Sequence, residues 1–383
     1  MNFEVLARDG SARRAQLALT NGVVETPAFM PVGTLGAVKG LSPLDLEAAG
    51  ASVMLSNLYH LSLRPGIDII ESLGGLHEFT GWRRPILTDS GGYQVFSLAN
   101  LRHVGVDGVT FRSHLDGAEL RLTPELVVES QRRLGVDIAM VLDECPPWPV
   151  AREEATASLE RTYQWAVRAR QAWQGNGMSL FGIVQGSTFT ELRQRAAEQL
   201  AELDFGGYAI GGVSVGEPTR ERRSVVEWTT PLLPAAKPRY LMGVGTPRDI
   251  VHAVQHGIDL FDCVLPSRNA RHGMLFTSQG LVRIKNARYR DDSRPVDADC
   301  SCPVCQRVSR ALLHHLIRSG ELTGAVLATQ HNVRFYLDFI AHLREAIASG
   351  TLTGFAASVA ARYPEDGSFS ESPATPDSTA SIP

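Results

Sequence analysis

No stretch of the chain approaches the eighteen or so uninterrupted apolar residues that a membrane span requires, and the opening MNFEVLARDGSARR has no apolar centre of the signal-peptide kind. A cytoplasmic protein without membrane attachment is expected. Cysteine is scarce, with five among 383 residues, and three of those fall within six positions. In a reduced compartment such clustering reads as metal binding and not as a disulfide framework. Excess positive charge is missing too. Lys plus Arg number 37 and Asp plus Glu 41, so 37 − 41 leaves a formal charge of −4. That excludes coating of nucleic acid by bulk charge and leaves room for a local basic groove. No G-x-G-x-x-G or P-loop spacing is completed, so a phosphate-cradling reading of GVGTP (243 to 247) is weak.

What the chain does contain is one device repeated eight times: a short apolar run ending in small or polar residues, followed by a segment with helical spacing. The runs are PAFMPVGT (27 to 34), SVMLSN (52 to 57), PILTDSG (85 to 91), DIAMVLDE (137 to 144), SLFGIVQGS (179 to 187), GYAIGGVS (207 to 214), RYLMGVGT (239 to 246) and LFDCVLP (260 to 266). Apolar strands without alternation mark a parallel sheet covered on both faces, and REEATASLERTYQWAVRARQAW and TELRQRAAEQLAEL read as intervening helices. Eight such units predict a (β/α)8 barrel, with a doubly wound sheet as the plainer alternative.

The regular pattern is interrupted twice. VTFRSHLDGAELRL (109 to 122) alternates around Asp116-Gly117 and reads as a hairpin, which explains His114 and Asp116 without a metal; Thr123 then caps a helix opening with Pro124. After the eighth run come Arg283, Lys285, Arg288 and Arg290, the cysteine cluster, and a helix rich in Leu, Phe, Tyr and Ile to about residue 348. The predicted organisation is a catalytic barrel with an N-terminal β extension over 1–280, a zinc-binding subdomain packed on it over 281–350, and a Ser/Pro-rich disordered tail over 363–383.

In such a barrel the reactive groups sit at the C-terminal ends of the strands. Reading along them gives Asp89, Ser90, Asp143, Glu144, Gln185, Gly211, Gly212, Met242, Gly243 and Asp262. Each aspartate alone is as readily a turn former or a helix cap; three directed at one mouth are another matter. Paired carboxylates suit displacement at a sugar anomeric carbon, one attacking and the other moving a proton at the leaving group. A third carboxylate suits guanine: Asp143 can accept from the ring N–H and the exocyclic amine, while Gln185 and the Gly212 N–H donate to the carbonyl. The Cys300-x-Cys302-x-x-Cys305 cluster gains a fourth ligand in His331, and three thiolates with one imidazole leave no open position, so one structural zinc ion is expected. The strand ends supply no histidines from which an open catalytic metal site is built.

Together MPVGTLGAVKG, SNLYHLSLRPG, LTDSGGYQVFSL, SHLDG, LDEC, FGIVQGS, GGVSVGE, RYLMGVGTP, FDCVLPSRNARHG and the cysteine cluster with its distant histidine resemble the bacterial-type tRNA-guanine transglycosylases, or queuine tRNA-ribosyltransferases, from about residue 3 to about 350. The resemblance implies exchange of guanine at the anticodon wobble position of tRNA for a 7-deazaguanine base, 7-aminomethyl-7-deazaguanine, in queuosine biosynthesis. It implies Asp262 as nucleophile and Asp89 as general acid/base. Asp143, Gln185, Gly212 and Ser90 would bind the base, and Tyr93 and Met242 would sandwich it. The Val213 carbonyl would face the aminomethyl group, with Glu217 supporting that peptide, and Arg268 and Arg271 would contact the anticodon loop. A homodimer is implied as well.

Several positions depart from the family pattern: SNLYHL stands for the commoner ANTYHL, GGVSVGE for GGLAVGE, and PSRNARHG for PTRNARNG, so that His272 alters an RNA contact. Cys145 with Val215 resembles the pocket that takes the small aminomethyl base rather than the bulkier queuine. Splayed bases of single-stranded loops need only a local basic patch, so net acidity is no objection. Two other readings are a transglycosylase using queuine directly and a non-catalytic tRNA-binding paralogue or partner subunit; the latter has no need of Asp89 and Asp262.

Overall fold

The computed structural model describes residues 1–92, 102–113, 117–175 and 177–365. Three antiparallel strands come first, β1 (Asn2–Asp9), β2 (Ala12–Leu19) and β3 (Gly22–Thr26). Then β4 (Ala28–Gly33), β5 (Met54–Asn57) and β6 (Ile86–Asp89) begin a parallel sheet. It is interrupted by an antiparallel set, β7 (Arg102–Gly105), β8 (Gly108–Arg112) and β9 (Glu119–Leu122). It continues with β10 (Ile138–Met140), β11 (Ser179–Val184), β12 (Gly207–Ile210), β13 (Arg239–Leu241) and β14 (Leu260–Cys263). Because β10 pairs with β6 and β14 with β4, the eight strands close on themselves. Every predicted run contains one barrel strand, and the doubly wound alternative is excluded.

The absence of alternation has its expected cause: all six residues of β11 are buried, with side chains entering the barrel lumen on one face and the helical layer on the other. The helices Arg152–Ala172 and Thr190–Glu202 lie where helical spacing predicts them. Thr123 caps Pro124–Leu134, its side chain accepting from the Leu126 N–H at 3.3 Å, and Gly135 ends that helix at φ 70°. The predicted hairpin is β8–β9, and β7 is a third strand that the alternation did not reveal; its tip, with His114 and Asp116, lies outside the described residues. Among the described residues no helix is long and apolar enough to cross a membrane.

The N-terminal sheet covers the end of the barrel where strands begin. Arg13 on β2 is buried and grips Asp259, just before β14, with two guanidinium nitrogens, and also donates to the carbonyls of Ala235 at 2.6 Å and Lys237 at 3.0 Å. Asn21 donates its N–H to Asp137, just before β10, at 2.8 Å. The opposite end is left open to the loops that follow the strands.

At the C-terminal side β15 (Met274–Thr277) and β16 (Gly280–Arg283) form a hairpin, and Leu322–Ser349 is one long helix. A second apolar cluster joins Ala270 and Leu275 to Val282, Ile284, Val296, Cys302 and Leu313. It takes in residues of both strands of the hairpin, which antiparallel pairing holds together. A further helix, Leu352–Arg362, carries Tyr363 into a buried position where its hydroxyl donates to the Thr277 carbonyl at 2.6 Å. The tail predicted to be disordered from Tyr363 thus begins with a packed aromatic residue, whose ring burial the Ser/Pro composition around it concealed; residues 366–383 lie outside the described residues.

Replacing Asp259 by Asn leaves the Arg13 guanidinium buried without its counter-charge. Asp259→Asn is expected to lower the unfolding free energy by about 3–5 kcal/mol, measured as a shift to lower denaturant midpoint; an unchanged midpoint would show that this ion pair does not hold the N-terminal sheet in place.

Candidate active site

Closure of a parallel barrel brings every strand's C-terminal end to one rim, and there a cavity of about 530 Å³ opens, lined by Asp89, Asp143 and Asp262 among others. The three predicted aspartates share one mouth. Asp89, the last residue of β6, receives the side-chain amide of Asn57, its register partner on β5, and the Leu58 N–H at 3.1 Å. Asn57 also caps the helix Leu58–Leu63, accepting from the His60 N–H at 3.0 Å, so one side chain sets both the helix start and the carboxylate. Removal from water pushes Asp89 up to about 7, the Leu58 N–H opposing and the charge of Asp262 reinforcing the rise.

Asp262, on β14, is held differently. The Tyr240 hydroxyl donates to Oδ1 at 2.5 Å and the Gly243 N–H to the same oxygen at 2.8 Å. Burial raises this carboxyl too, but both donors pull it back. Among the described residues both donors to Asp262 meet Oδ1 and none meets Oδ2, and the residue lines the cavity. The two carboxyls share one cavity with different surroundings: burial pushes Asp89 up to about 7, while Asp262 is raised by burial and held back by its two donors. Neither Tyr240 nor Asn57 was singled out in the sequence. Tyr240 reads as an ordinary core aromatic within a strand, and only cross-strand pairing shows what its hydroxyl meets.

Asp143 follows β10 and is buried, with Ser90 donating at 3.3 Å and the Gln185 amide at 2.7 Å. Burial pushes it up to about 6, against those two donors. Gln185 stands behind Asp143 and beside the cavity, not on its wall, and its Oε1 has no partner among the described residues. A Cβ at Gly92 would fall 1.8 Å from Asp143 Oδ1, and one at Gly212, which has φ +63°, 2.2 Å from Gln185 Oε1, so both positions require glycine. Glu144, also at a strand end, turns away: Arg161 grips it with two nitrogens at 2.6 and 3.1 Å.

Ser90, Gly212, Val213 and Met242 line the cavity. Glu217 is buried beneath the Val213–Ser214 peptide, accepting the Ser214 N–H at 2.6 Å and the Val215 N–H at 2.9 Å. In a trans peptide that fixes the direction of the Val213 carbonyl, opposite to Glu217. Arg268 is exposed at the mouth, and Arg271 on the same short helix donates to the Ser267 carbonyl at 2.9 Å. Tyr93 lies outside the described residues.

Away from the mouth, one ligand atom each from Cys300, Cys302, Cys305 and His331 lies within 4.8 Å of the others, a set that can hold a metal ion. His331 Nδ1 stands 3.3 Å from Cys305 Sγ and 3.7 Å from Cys302 Sγ. A tetrahedral ion bound at about 2.3 Å to sulfur and 2.0 Å to nitrogen separates its ligand atoms by about 3.5 Å, which these spacings match. His331 Nε2 donates to the Phe276 carbonyl at 2.8 Å, leaving Nδ1 unprotonated toward the sulfurs. Neighbouring thiols donating to Cys302 hold it far below the ordinary thiol range, as a metal ligand requires.

A parallel (β/α)8 barrel whose strand ends bring three aspartates to one rim cavity has the architecture of an enzyme of this fold class. Residues 9–365 match the model of the queuine tRNA-ribosyltransferase family. Similar proteins named queuine tRNA-ribosyltransferase include one from Marinobacter nauticus, 52% identical over 93% of this chain and 95% of its own length. Another, from Zymomonas mobilis, is 51% identical over 94% and 95%, and a third, from Thiobacillus denitrificans, 52% identical over 93% and 97%. The chain belongs to the queuine tRNA-ribosyltransferase family and is a pentosyltransferase.

Because burial raises Asp89, the stability that its proton carries is fully present below the unfolded value near 4 and is lost as pH rises through about 7. Asp89→Asn is therefore expected to stabilise the fold by roughly 2–4 kcal/mol at pH 8 and little at pH 4. Denaturation midpoints at the two pH values measure it; an equal effect at both would contradict the proton assignment.

Proposed function

We propose that this enzyme is a tRNA-guanine transglycosylase, exchanging guanine at the anticodon wobble position for 7-aminomethyl-7-deazaguanine in queuosine biosynthesis. The observation that carries the reading is that Asp89 and Asp262, each held by its own donors, line one cavity. Asp262 Oδ2, free of donors, attacks the ribose anomeric carbon as the bond to guanine breaks, and the bonding pair leaves with the base nitrogen. Asp89 supplies the proton that the departing base takes up. The incoming base then loses its ring proton to Asp89, attacks the same carbon, and releases Asp262 from its ester. The RNA chain is never cut, since only the glycosidic bond is exchanged.

Base recognition falls to Asp143, accepting from the ring N–H and the amine, with Gln185 orienting it, Ser90 beside it and the Gly212 N–H on the base carbonyl. Met242 provides an apolar face and Tyr93 the other. The Val213 carbonyl would receive the aminomethyl group, which Glu217 makes possible by fixing its peptide. Arg268 and Arg271 suit phosphate or base contacts in the anticodon loop of tRNA. The rest of the reading is a cytoplasmic homodimer built from a barrel over 1–280 and a zinc-binding subdomain over 281–350. A non-catalytic tRNA-binding role is disfavoured, because simple binding has no use for a Tyr240–Gly243 cradle around one oxygen of Asp262.

Labelled 7-aminomethyl-7-deazaguanine and queuine offered together to guanine-wobble tRNA test reaction and substrate at once. Incorporation of the small base is expected, with Asp262→Asn abolishing both exchange and the denaturation-resistant RNA adduct; preferential uptake of queuine would favour direct use of that base, and unchanged exchange by the variant would remove Asp262 from its role.

Cys300, Cys302, Cys305 and His331 would hold one zinc ion, which supplies a cross-link and, with four protein ligands, no catalytic position. One zinc per chain is expected by elemental analysis, with Cys302→Ser losing it together with thermal stability; equal zinc in the variant would refute the site.

A further inference from the structure

Arg193 is among the largest fully buried side chains of the molecule, at 0% exposure, and none of the described carboxylates forms an ion pair with it. Arginines are almost never buried in that way unless paired. From the helix Thr190–Glu202 its guanidinium reaches the ends of β11 and β12 and meets only backbone carbonyls: Ser187 at 2.8 Å, Val184 at 2.9 Å, Gly211 at 2.7 Å and Gly212 at 3.1 Å. Burial lowers it to about 10, so it is still a cation at neutral pH. The charge of Glu217 acts on it from beyond contact distance.

The shortest of these bonds has a consequence across the peptide. The Gly211 carbonyl and the Gly212 N–H are two ends of one amide. A cationic donor on the oxygen draws electron density from the nitrogen and makes the N–H a stronger donor, as in any polarised hydrogen-bond chain of low dielectric. That N–H is directed toward the Cys145 sulfur, and both residues line the cavity, so on the base-exchange reading it borders the space that the base carbonyl would enter. When the glycosidic bond breaks, its electron pair passes to the ring nitrogen and spreads to that carbonyl oxygen, where a polarised donor is worth most.

We propose that Arg193 is a positioning residue for the exchanged base, fixing the Gly211–Gly212 peptide and polarising its N–H so that it stabilises negative charge on the base carbonyl. The inference rests on the base-exchange reading above, and it places behind the Gly211–Gly212 peptide of the cavity wall a charge that forms no ion pair with a described carboxylate. It also accounts for an arginine whose four described hydrogen bonds all go to backbone carbonyls beyond or at the ends of β11 and β12.

The test is the ratio of two affinities on one sample, guanine against 2-aminopurine, which keeps the amine and lacks the carbonyl oxygen and its adjoining ring N–H. Arg193→Lys keeps the charge without the fork, and Arg193→Gln keeps a planar donor without the charge. In both, guanine affinity is expected to fall about tenfold, the scale of one charge-assisted hydrogen bond, with 2-aminopurine affinity little changed. A partly unfolded variant lowers both apparent affinities by the same factor, so the ratio survives a loss of stability. If the two affinities fall together, or the ratio is that of the unaltered enzyme, Arg193 is a structural brace only. An unaltered enzyme that binds guanine no better than 2-aminopurine would overturn the base-site reading itself, and the proposal with it.

Discussion

Three carboxyl groups withdrawn from water at one end of a closed barrel are the constraint on which the rest of this molecule depends. None is neutralised by a bidentate arginine. Each is instead met by oriented hydrogen-bond donors: Asn57 and the Leu58 N–H for Asp89, Tyr240 and the Gly243 N–H for Asp262, Gln185 and Ser90 for Asp143. Donors of this kind hold a carboxylate in place without fixing its charge. Desolvation raises all three groups and the donors oppose that rise at each of them.

The supports lie further out and share a logic. At the closed end, Arg13 and Asp259 tie the first strands to the start of β14. At the open end, Arg193 gathers four carbonyls, that of Val184 at the end of β11 and those of Ser187, Gly211 and Gly212 just beyond β11 and β12. The long helix Leu322–Ser349 joins the metal cluster to the mouth: His331 faces the three sulfurs, while the next residue, Asn332, donates to the Pro266 and Met274 carbonyls at 3.0 Å each. One turn on, the Tyr336 hydroxyl donates to the Gly245 carbonyl at 2.6 Å, just beyond the Gly243 that holds Asp262. The metal-binding set on one side of this helix is thereby tied to the loop that holds Asp262 and to the segment after β14 on the other.

Much of this was legible in the chain. Strands buried on both faces leave uninterrupted apolar runs, which is why all eight barrel strands fell within predicted segments and why their polar ends marked Asp89, Asp143 and Asp262. Close spacing made the cysteine cluster visible, and the distant His331 followed from the need for a fourth ligand. The failures have equally physical causes. Glu144 and Asp143 are neighbours at the same strand end, yet alternate side-chain directions send one to Arg161 and the other to the cavity. Tyr363 sits at the head of a Ser/Pro-rich stretch, and nothing local announces the Thr277 carbonyl that its hydroxyl finds.

By itself the sequence determined the barrel, the set of carboxylates at its rim and the metal-binding donors, because each depends on residue type and short-range period. Which donors meet Asp262, how burial raises each aspartate, and how Arg193 comes to bind four backbone carbonyls were decided only by tertiary structure. Those properties arise between residues on different strands and helices, where burial and the direction of a hydrogen bond set the charge, and neither quantity exists until the barrel has closed.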